Sequence, residues 1–484
     1  MALGFDMRRI ARKGDEAPED SAGAGREPGP AGSAESSARE RPSRESGRLS
    51  LVRALRHRNY RLFFGGQLIS LTGTWMQMVA QAWLVYRLTG SAVLLGAVGF
   101  SGQIPVFLLA PLGGSVADRF HRRRILVTTQ TTAMLLAFFL AALTLTGYVQ
   151  VWHVFVLASL LGITNAFDIP TRQAFVVDMV GKEDLINAIA LNSSMINGAR
   201  IVGPALAGVL LDALGEGWCF LANGVSYLAV IAGLLLMRMT IQTRVPLPGS
   251  ALASIIEGFR YVKHARPIRA LLLLLGLVSL MGMPYAVLMP IFADQILHGG
   301  ARELGLLLGA TGLGALAGSV TLAAKSGIHG LGRWVALAAT GFGVSLVLFS
   351  LSRFFWLSAA LLLPVGFCMI IEMASSNTLI QSLVSDELRG RVMAVYSMMF
   401  MGMIPFGSLL AGALAHSLGA PSTVALGGFA CIVGALVFAW RLPALRLEAR
   451  RVIVALEVAG GEPPEEITGE ASAVVPRNSE NHGQ

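Results

Sequence analysis

The chain has 484 residues, 54% of them hydrophobic and only 14% charged, with a formal net charge of +9. Soluble domains carry about a quarter charged residues, so this composition excludes an ordinary globular enzyme and points to the membrane. The positive charge is gathered at the ends of apolar runs, the placement of membrane anchors rather than of a nucleic-acid interface.

In chain order, residues 1–58 are rich in Arg, Glu, Gly, Pro, Ser and Ala and hold no apolar core for a cleavable signal. They read as a disordered cytoplasmic tail. Apolar blocks of about 20 residues follow, the length with which a helix crosses about 30 Å of hydrocarbon. They predict spans near 62–86, 91–116, 124–147, 151–171, 188–213 and 218–239, an N-terminal six-helix bundle over 59–239. A connector over 240–267 places Leu252, Ile255, Ile256 and Phe259 at helical spacing beside Arg260, Lys263, His264 and Arg266. Such a basic amphipathic helix lies in the membrane interface or packs beneath the bundles. Six more spans are predicted near 268–293, 302–324, 333–352, 354–376, 390–415 and 421–441, a C-terminal bundle over 268–441. A second cytoplasmic tail occupies 442–484. The fold class is an all-α membrane protein of twelve transmembrane helices.

If the spans alternate, the basic residues at 121–124, Arg172, Lys182, 238–269, Lys325, Arg333, Arg389, Arg391 and 441–451 share one side. The positive-inside rule then places both termini in the cytoplasm. Cys219, Cys368 and Cys431 fall inside spans and read as small buried residues. No phosphate-binding loop, metal-ligand cluster or local nucleophile–base pair stands out, so no enzyme activity, cofactor or metal is expected.

Gly114 and Gly318, Gly203 and Gly407, and Asp168 and Glu372 are each separated by 204 positions. One offset at three places means that the chain is a duplicated six-helix unit. Secondary transporters use such repeats to rock two bundles about a central site.

Charges inside spans are costly and therefore functional candidates. Arg200 lies well inside the fifth span, on one face with Asn197 and Pro204; it receives an anionic cargo or pairs with an acid that fixes the helix. Asp168 and Glu372 are proton-coupling candidates. Arg172, one turn from Asp168, favours a structural ion pair there, whereas Ser376 stands at the matching position near Glu372. Gln67, Ser70, Thr74, Gln77 and Gln81 recur every three or four residues as a polar stripe on the first span, flanked by Trp75 and Trp83. The stripe faces a cargo cavity or a partner helix. Tyr285, between Pro284 and Pro290, sits in a broken seventh span. Methionines crowd the eleventh span from Met393 to Met403, with Met369 and Met373 in the tenth, as an adaptable surface or as filler.

Gly114, Ala117, Asp118, Arg119, Arg122 and Arg123 together resemble the signature loop of the major facilitator superfamily, with Val116 and His121 where Leu and Gly are usual. The segments 165–180 and 187–194 resemble the branch that contains the enterobactin exporter and the transmembrane secretion effectors. The resemblance covers about residues 55–441. It implies a cytoplasmic gate formed by Asp118, Arg119, Arg122, Arg123 and Arg172, with Asp118 latching the start of the eleventh span near residues 389–392. Ala199, Gly203, Pro204, Ala207 and Gly208 resemble the antiporter motif of drug–proton exchangers, with Ala199 and Ala207 replacing glycines. It also implies a cavity lined by the first and seventh spans, with Gln67, Thr74, Gln77, Gln81, Asn197, Arg200 and Tyr285 as candidates. The implied function is proton-driven export of a small hydrophobic or amphipathic molecule of drug or siderophore class across a bacterial cytoplasmic membrane. The expected partners are small-molecule cargo, protons and membrane lipid, without nucleic acid. One departure is that the fourth span lacks the mid-membrane arginine of many proton-linked exporters. An importer or uniporter of the same fold, or a transport-inactive scaffold or sensor, are the alternatives.

Overall fold

The computed structural model describes residues 53–181, 183–238, 251–325, 327 and 330–458. The tail readings over 1–52 and 459–484, Lys182 and the connector start at 239–250 lie outside the described residues.

Twelve long helices overlap the twelve predicted spans. The first half comprises α1 (Arg58–Thr89), α2 (Ala92–Arg119), α3 (Arg122–Leu145), α4 (Val151–Val180), α5 (Leu185–Leu214) and α6 (Glu216–Leu236). After the connector helix Ala251–His264 come α7 (Arg266–Ile296), α8 (Ala301–Ala323), α9 (Leu331–Leu351), α10 (Phe355–Ser382), α11 (Glu387–Leu418) and α12 (Ala420–Val458). Among the described residues, eleven of these are long and apolar enough to cross a membrane. The remaining helix, α1, has the length, at 32 residues, and falls short because its polar stripe lowers its hydropathy.

The duplication is visible in the packing. In the first half α2 packs on α4, α3 on α4 and α6, and α1 on α5 and α6. In the second half α8 packs on α10, α9 on α10 and α12, and α7 on α11 and α12, the same pattern six helices later. Backbone proximity marks the equivalences: a Cβ on Gly162 of α4 would meet Gly102 of α2, and one on Gly366 of α10 would meet Thr311 of α8. Small residues permit such approach where lipid supplies no hydrophobic driving force between helices.

Helix α7 is broken, as its prolines require. Regular helix over Arg266–Leu277 gives way to a wide turn at Val278–Gly282 and a tight one at Met283–Leu288. Gly282 admits Phe342 and Cys431 to the break, since an added Cβ would lie 2.9 Å from the Cys431 sulfur. Several helices outrun their predicted spans at the basic end. Residues 442–458, expected in a tail, continue α12, and Arg266 holds this extension through Glu448 at 3.0 Å.

Residues 53–57, also expected in a tail, are fixed by a cluster the sequence reading missed. Asp184, in the turn before α5, is 2% exposed. It meets Arg53 at 3.2 Å, Arg56 at 2.8 Å and His57 at 2.8 Å. The Ala54 amide donates to the Asn187 side chain at 2.8 Å, and the Tyr60 hydroxyl to the Ala188 carbonyl at 2.9 Å. The hydrogen bond with His57, reinforced by Arg56 and Arg53, holds the Asp184 carboxyl below the usual carboxylate range against the opposing effect of burial. A carboxyl depressed in the folded state adds stability above its unfolded value and loses it as pH falls through its folded value. Asp184→Asn is therefore expected to lower the apparent melting temperature in detergent at neutral pH. The gap from the parent should close towards about pH 3, measured by unfolding scans across that range.

Candidate functional site

The two bundles are joined most closely at the end opposite the basic connections, through two glycine-lined crossings. On one side α5 crosses α8: a Cβ on Gly305 would lie 2.5 Å from the Pro204 carbonyl oxygen and 2.7 Å from the Gly208 Cα. On the other, α2 crosses α11: a Cβ on Gly412 would lie 2.6 Å from the Ala92 carbonyl oxygen and 3.1 Å from the Gly96 Cα. Gly208 and Gly412 are repeat equivalents, so both crossings use the same position of the duplicated unit. The first glycine of each motif works inside its own bundle. A Cβ on Gly203 would lie 2.5 Å from Trp75, and one on Gly407 2.6 Å from Pro284. Ala199 and Ala207, the departures from the antiporter motif, are fully buried and keep the small surface that the contact requires. At the same end the Tyr86 hydroxyl of α1 donates to the Asp294 carboxylate of α7, a further link between bundles. Within the first bundle, Arg87 grips Glu216 at 2.6 and 3.1 Å.

Halfway along α5, where its backbone meets Gly312 of α8, Arg200 faces residues of both bundles. Its guanidinium carbon lies 5.5 Å from the Trp75 ring centroid, and Nη2 lies 3.4 Å from the Met369 sulfur of α10. Tyr285 of α7 is buried in the second bundle. The alternative that Arg200 pairs with an acid is not what forms: among the described residues no carboxylate is its partner. A desolvated indole face returns about 2 kcal/mol to a cation, whereas an arginine at mid-span costs about 3 kcal/mol or more. The arginine's charge is thus only partly compensated. Asn197, expected beside it, donates instead to the Ser193 carbonyl of its own helix at 3.0 Å.

The α1 stripe is largely a packing surface, which corrects its reading as a cavity wall. Gln67 and Gln77 are buried. Gln67 accepts from Arg172 of α4 at 3.1 Å, and Gln77 from Asn223 of α6 at 2.7 Å. Thr74 donates to the Ser70 carbonyl at 2.9 Å and is also engaged by Tyr227. Gln81 is half-buried. The neighbouring Trp75, not the glutamines, reaches the central arginine.

The two equivalent acids have opposite surroundings. Asp168 accepts from Thr129 and Gln130 of α3, both at 2.8 Å, and pairs with Arg172 at 3.4 Å. Every oxygen of this buried carboxylate is engaged, and Arg172 belongs to this network rather than to a surface gate. Glu372 is 2% exposed and accepts from Ser376 at 3.3 Å. Tyr396 and Cys431 stand near it, and among the described residues it has no cationic partner. The hydroxyls of Ser279 and Ser375, also buried in the second bundle, have no partner among the described residues.

At the basic end the hub of the signature loop is Arg122, with its side chain 10% exposed. It donates to the Ala117 carbonyl at 3.2 Å, the Ala174 carbonyl at 2.9 Å, and the carboxylates of Asp178 and Asp118 at 3.2 Å. Asp178 was not singled out from sequence. Arg123 donates to the Leu235 carbonyl at 2.8 Å, and Arg119 is exposed. Asp118 is exposed, and its described ion pair is with Arg122, not with the start of α11. The connector helix takes that place. Glu257 pairs with Arg391 at 2.5 Å, and Gly258 lies against the Arg391 carbonyl. The connector helix is thus packed against α11 while its Ile256 and Phe259 stay exposed; Leu252 and Ile255 lie outside the described side chains. A cleft of about 440 Å³ also opens at this end, but Phe120, Arg124, Thr128, Thr132 and Phe167 place it within the first bundle. The bundles are therefore sealed at the end of the glycine crossings and bridged at the basic end by the connector helix.

Residues 50–457 match the major facilitator family described as transmembrane secretion effector, and the chain belongs to that family. It is 27% identical to the Staphyloferrin A transporter of Staphylococcus aureus, over 78% of this chain and 94% of that one. It is 27% identical to the multidrug efflux pump Tap of Mycolicibacterium fortuitum, over 72% and 88%. With the enterobactin exporter EntS of Citrobacter koseri the identity is 24%, over 84% and 96%. The fold matches solved structures of a POT family transporter with a TM-score of 0.64 at 11% identity, over 80% of this chain and 96% of that one. For the nucleoside transporter NupG the TM-score is 0.60 at 14% identity, over 80% and 98%.

Overpacking a close contact costs about 1–3 kcal/mol, enough to shift a conformational equilibrium. Gly412→Leu is thus expected to loosen the seal at both crossings. In a chain with its native cysteines replaced, a cysteine at position 207 should react with maleimide about tenfold faster when Gly412→Leu is present. Labelling kinetics on the two purified proteins check this.

Proposed function

We propose that this family member exports small hydrophobic or amphipathic molecules from the cytoplasm by proton antiport, with the two bundles alternating access to a site around Arg200. The observation that carries the reading is the position of that site. It is contacted by Trp75 from one bundle and by Met369 from the other, directly beneath the glycine seal. A molecule held there touches both moving bodies.

The basic connections, around Arg119–Arg124 and Arg389–Arg391, assign their end to the cytoplasm by the positive-inside rule, with both termini on that side. The described arrangement, sealed at the far end, is then the one in which cargo loads from the cytoplasm. The similarity to an enterobactin exporter and to a multidrug efflux pump supports the outward direction. The Asp118–Arg122 loop would close the cytoplasmic end in the other state, when the start of α11 exchanges the connector helix for the end of α2.

Proton coupling rests on the contrast between the two acids. Burying a carboxylate without a cation costs far more than burying a carboxylic acid. Among the described residues Glu372 has one weak hydroxyl donor and no cationic partner, so a proton is the means by which it loses its charge. Asp168 has Arg172 and two strong donors and keeps a structural role. In this cycle Glu372 takes a proton from the external side as cargo leaves and returns it to the cytoplasm after the bundles rock back.

Proteoliposome flux with an imposed pH gradient tests the scheme, using ethidium as a hydrophobic cation and enterobactin as a siderophore. Uphill export of either, driven by acid on the receiving side, is expected from the parent. Glu372→Gln should lower gradient-driven export by about tenfold or more while cargo counterflow persists, and Asp168→Asn should lower both. Equal loss of both activities in Glu372→Gln would remove it as the carrier.

A further inference from the structure

The guanidinium of Arg200 carries five N–H donors, and its one described hydrogen bond goes to the Met369 thioether, a weak acceptor. Among the described residues no acid is its partner. Asp168 is held by Thr129, Gln130 and Arg172, Glu216 by Arg87, and Asp294 by Tyr86. Glu372 accepts from Ser376. The arginine is nonetheless at the middle of α5, where an uncompensated charge is least tolerated. It sits at the crossing of α5 with α8, so whatever completes its coordination lies between the two bundles.

We infer that Arg200 recognises a single anionic group, a carboxylate, on the transported molecule, and that the apolar or aromatic body of that molecule lies against Trp75, Met369 and Tyr285. This rests on the transporter reading above and names amphipathic organic acids as one class of its cargo. A planar guanidinium fits a carboxylate with two parallel hydrogen bonds. One arginine, with no second cation among its described partners, balances one negative charge, which suits a carboxylate better than a dianionic phosphate. The surrounding side chains supply what the rest of such a molecule needs. Trp75 offers an indole face, Met369 an adaptable thioether, and Tyr285 a ring with a polar tip. The anion supplies the charge that the described partners of Arg200 do not, and a body seated against Met369 reaches the second bundle.

Calorimetric titration of the purified full-length protein in neutral detergent tests this with 1-naphthylacetate and its uncharged counterpart 1-naphthylacetamide. The acid is expected to bind about tenfold tighter than the amide. Arg200→Gln should abolish that preference while leaving amide binding in place, which also shows that the variant is folded. Arg200→Lys, which keeps the charge but not the planar fork, should retain only part of the preference. Trp75→Leu should weaken acid and amide alike. Equal affinity of the parent for the two compounds, no measurable binding of the acid, or a preference that survives Arg200→Gln would each overturn the inference. Ethidium flux separates the two levels of argument. Export of ethidium with no acid preference leaves the exporter reading standing and removes the role of Arg200. Acid binding at Arg200 without gradient-driven movement of any cargo removes the exporter reading and keeps the site.

Discussion

Two helix backbones come together without intervening side chains at Gly208 on Gly305 and at Gly412 on Gly96, and the rest of the architecture depends on these contacts. In a membrane the helices gain little from excluding water from one another, so association relies on close packing and on polar pairs. The crossings supply the first, and the Tyr86–Asp294 bond at the same end supplies the second. A contact between smooth backbone surfaces has few interlocking side chains to extract, so it is suited to separate and re-form as a unit. The crossings hold one end of the molecule shut while leaving the basic end to the longer side chains of Arg122, Asp118, Glu257 and Arg391.

The buried polar groups divide by whether they are satisfied. The Asp168–Arg172–Gln67 set and the Gln77–Asn223 pair match their charged and amide groups within the first bundle, with Gln130 Oε1 left without a partner among the described residues. They fix α1 against α4 and α6. Arg200 and Glu372 are the open members. Each is a group with too few partners for its charge, one between the bundles and one inside the second. A rigid first bundle, an incompletely compensated cation at the centre and a protonatable acid beyond it form a physically coherent order for coupled transport.

Much of the fold was legible in the sequence because its main determinants are local or periodic. Apolar block length located the helices, and one repeat offset located the duplication, down to the equivalence of Gly208 and Gly412. The site was legible only in part. The glutamine stripe of α1 correctly announced a face that avoids lipid, but periodicity does not tell a cavity from a neighbouring helix, and Arg172 and Asn223 proved to be the partners. Asp118 pairs with Arg122 one turn away, and Arg122 makes most of the contacts of the loop found here. Asp178 and Asp184 drew no attention at their own positions because each gains its meaning from a partner on another helix or in the segment before α1. Asp184 lies 127 positions from His57, and nothing in the spacing of either residue links them.

The central claim is that the glycine-sealed end and the connector-bridged end open in alternation. Spin–spin distance measurements in lipid nanodiscs address it directly, with one label pair at Leu88 and His298 and another at Arg119 and Glu387. The account predicts that acidification on its own, or with cargo present, creates a second population in which the first distance lengthens as the second shortens. Distances that stay fixed under every condition, or that lengthen and shorten together, would contradict it.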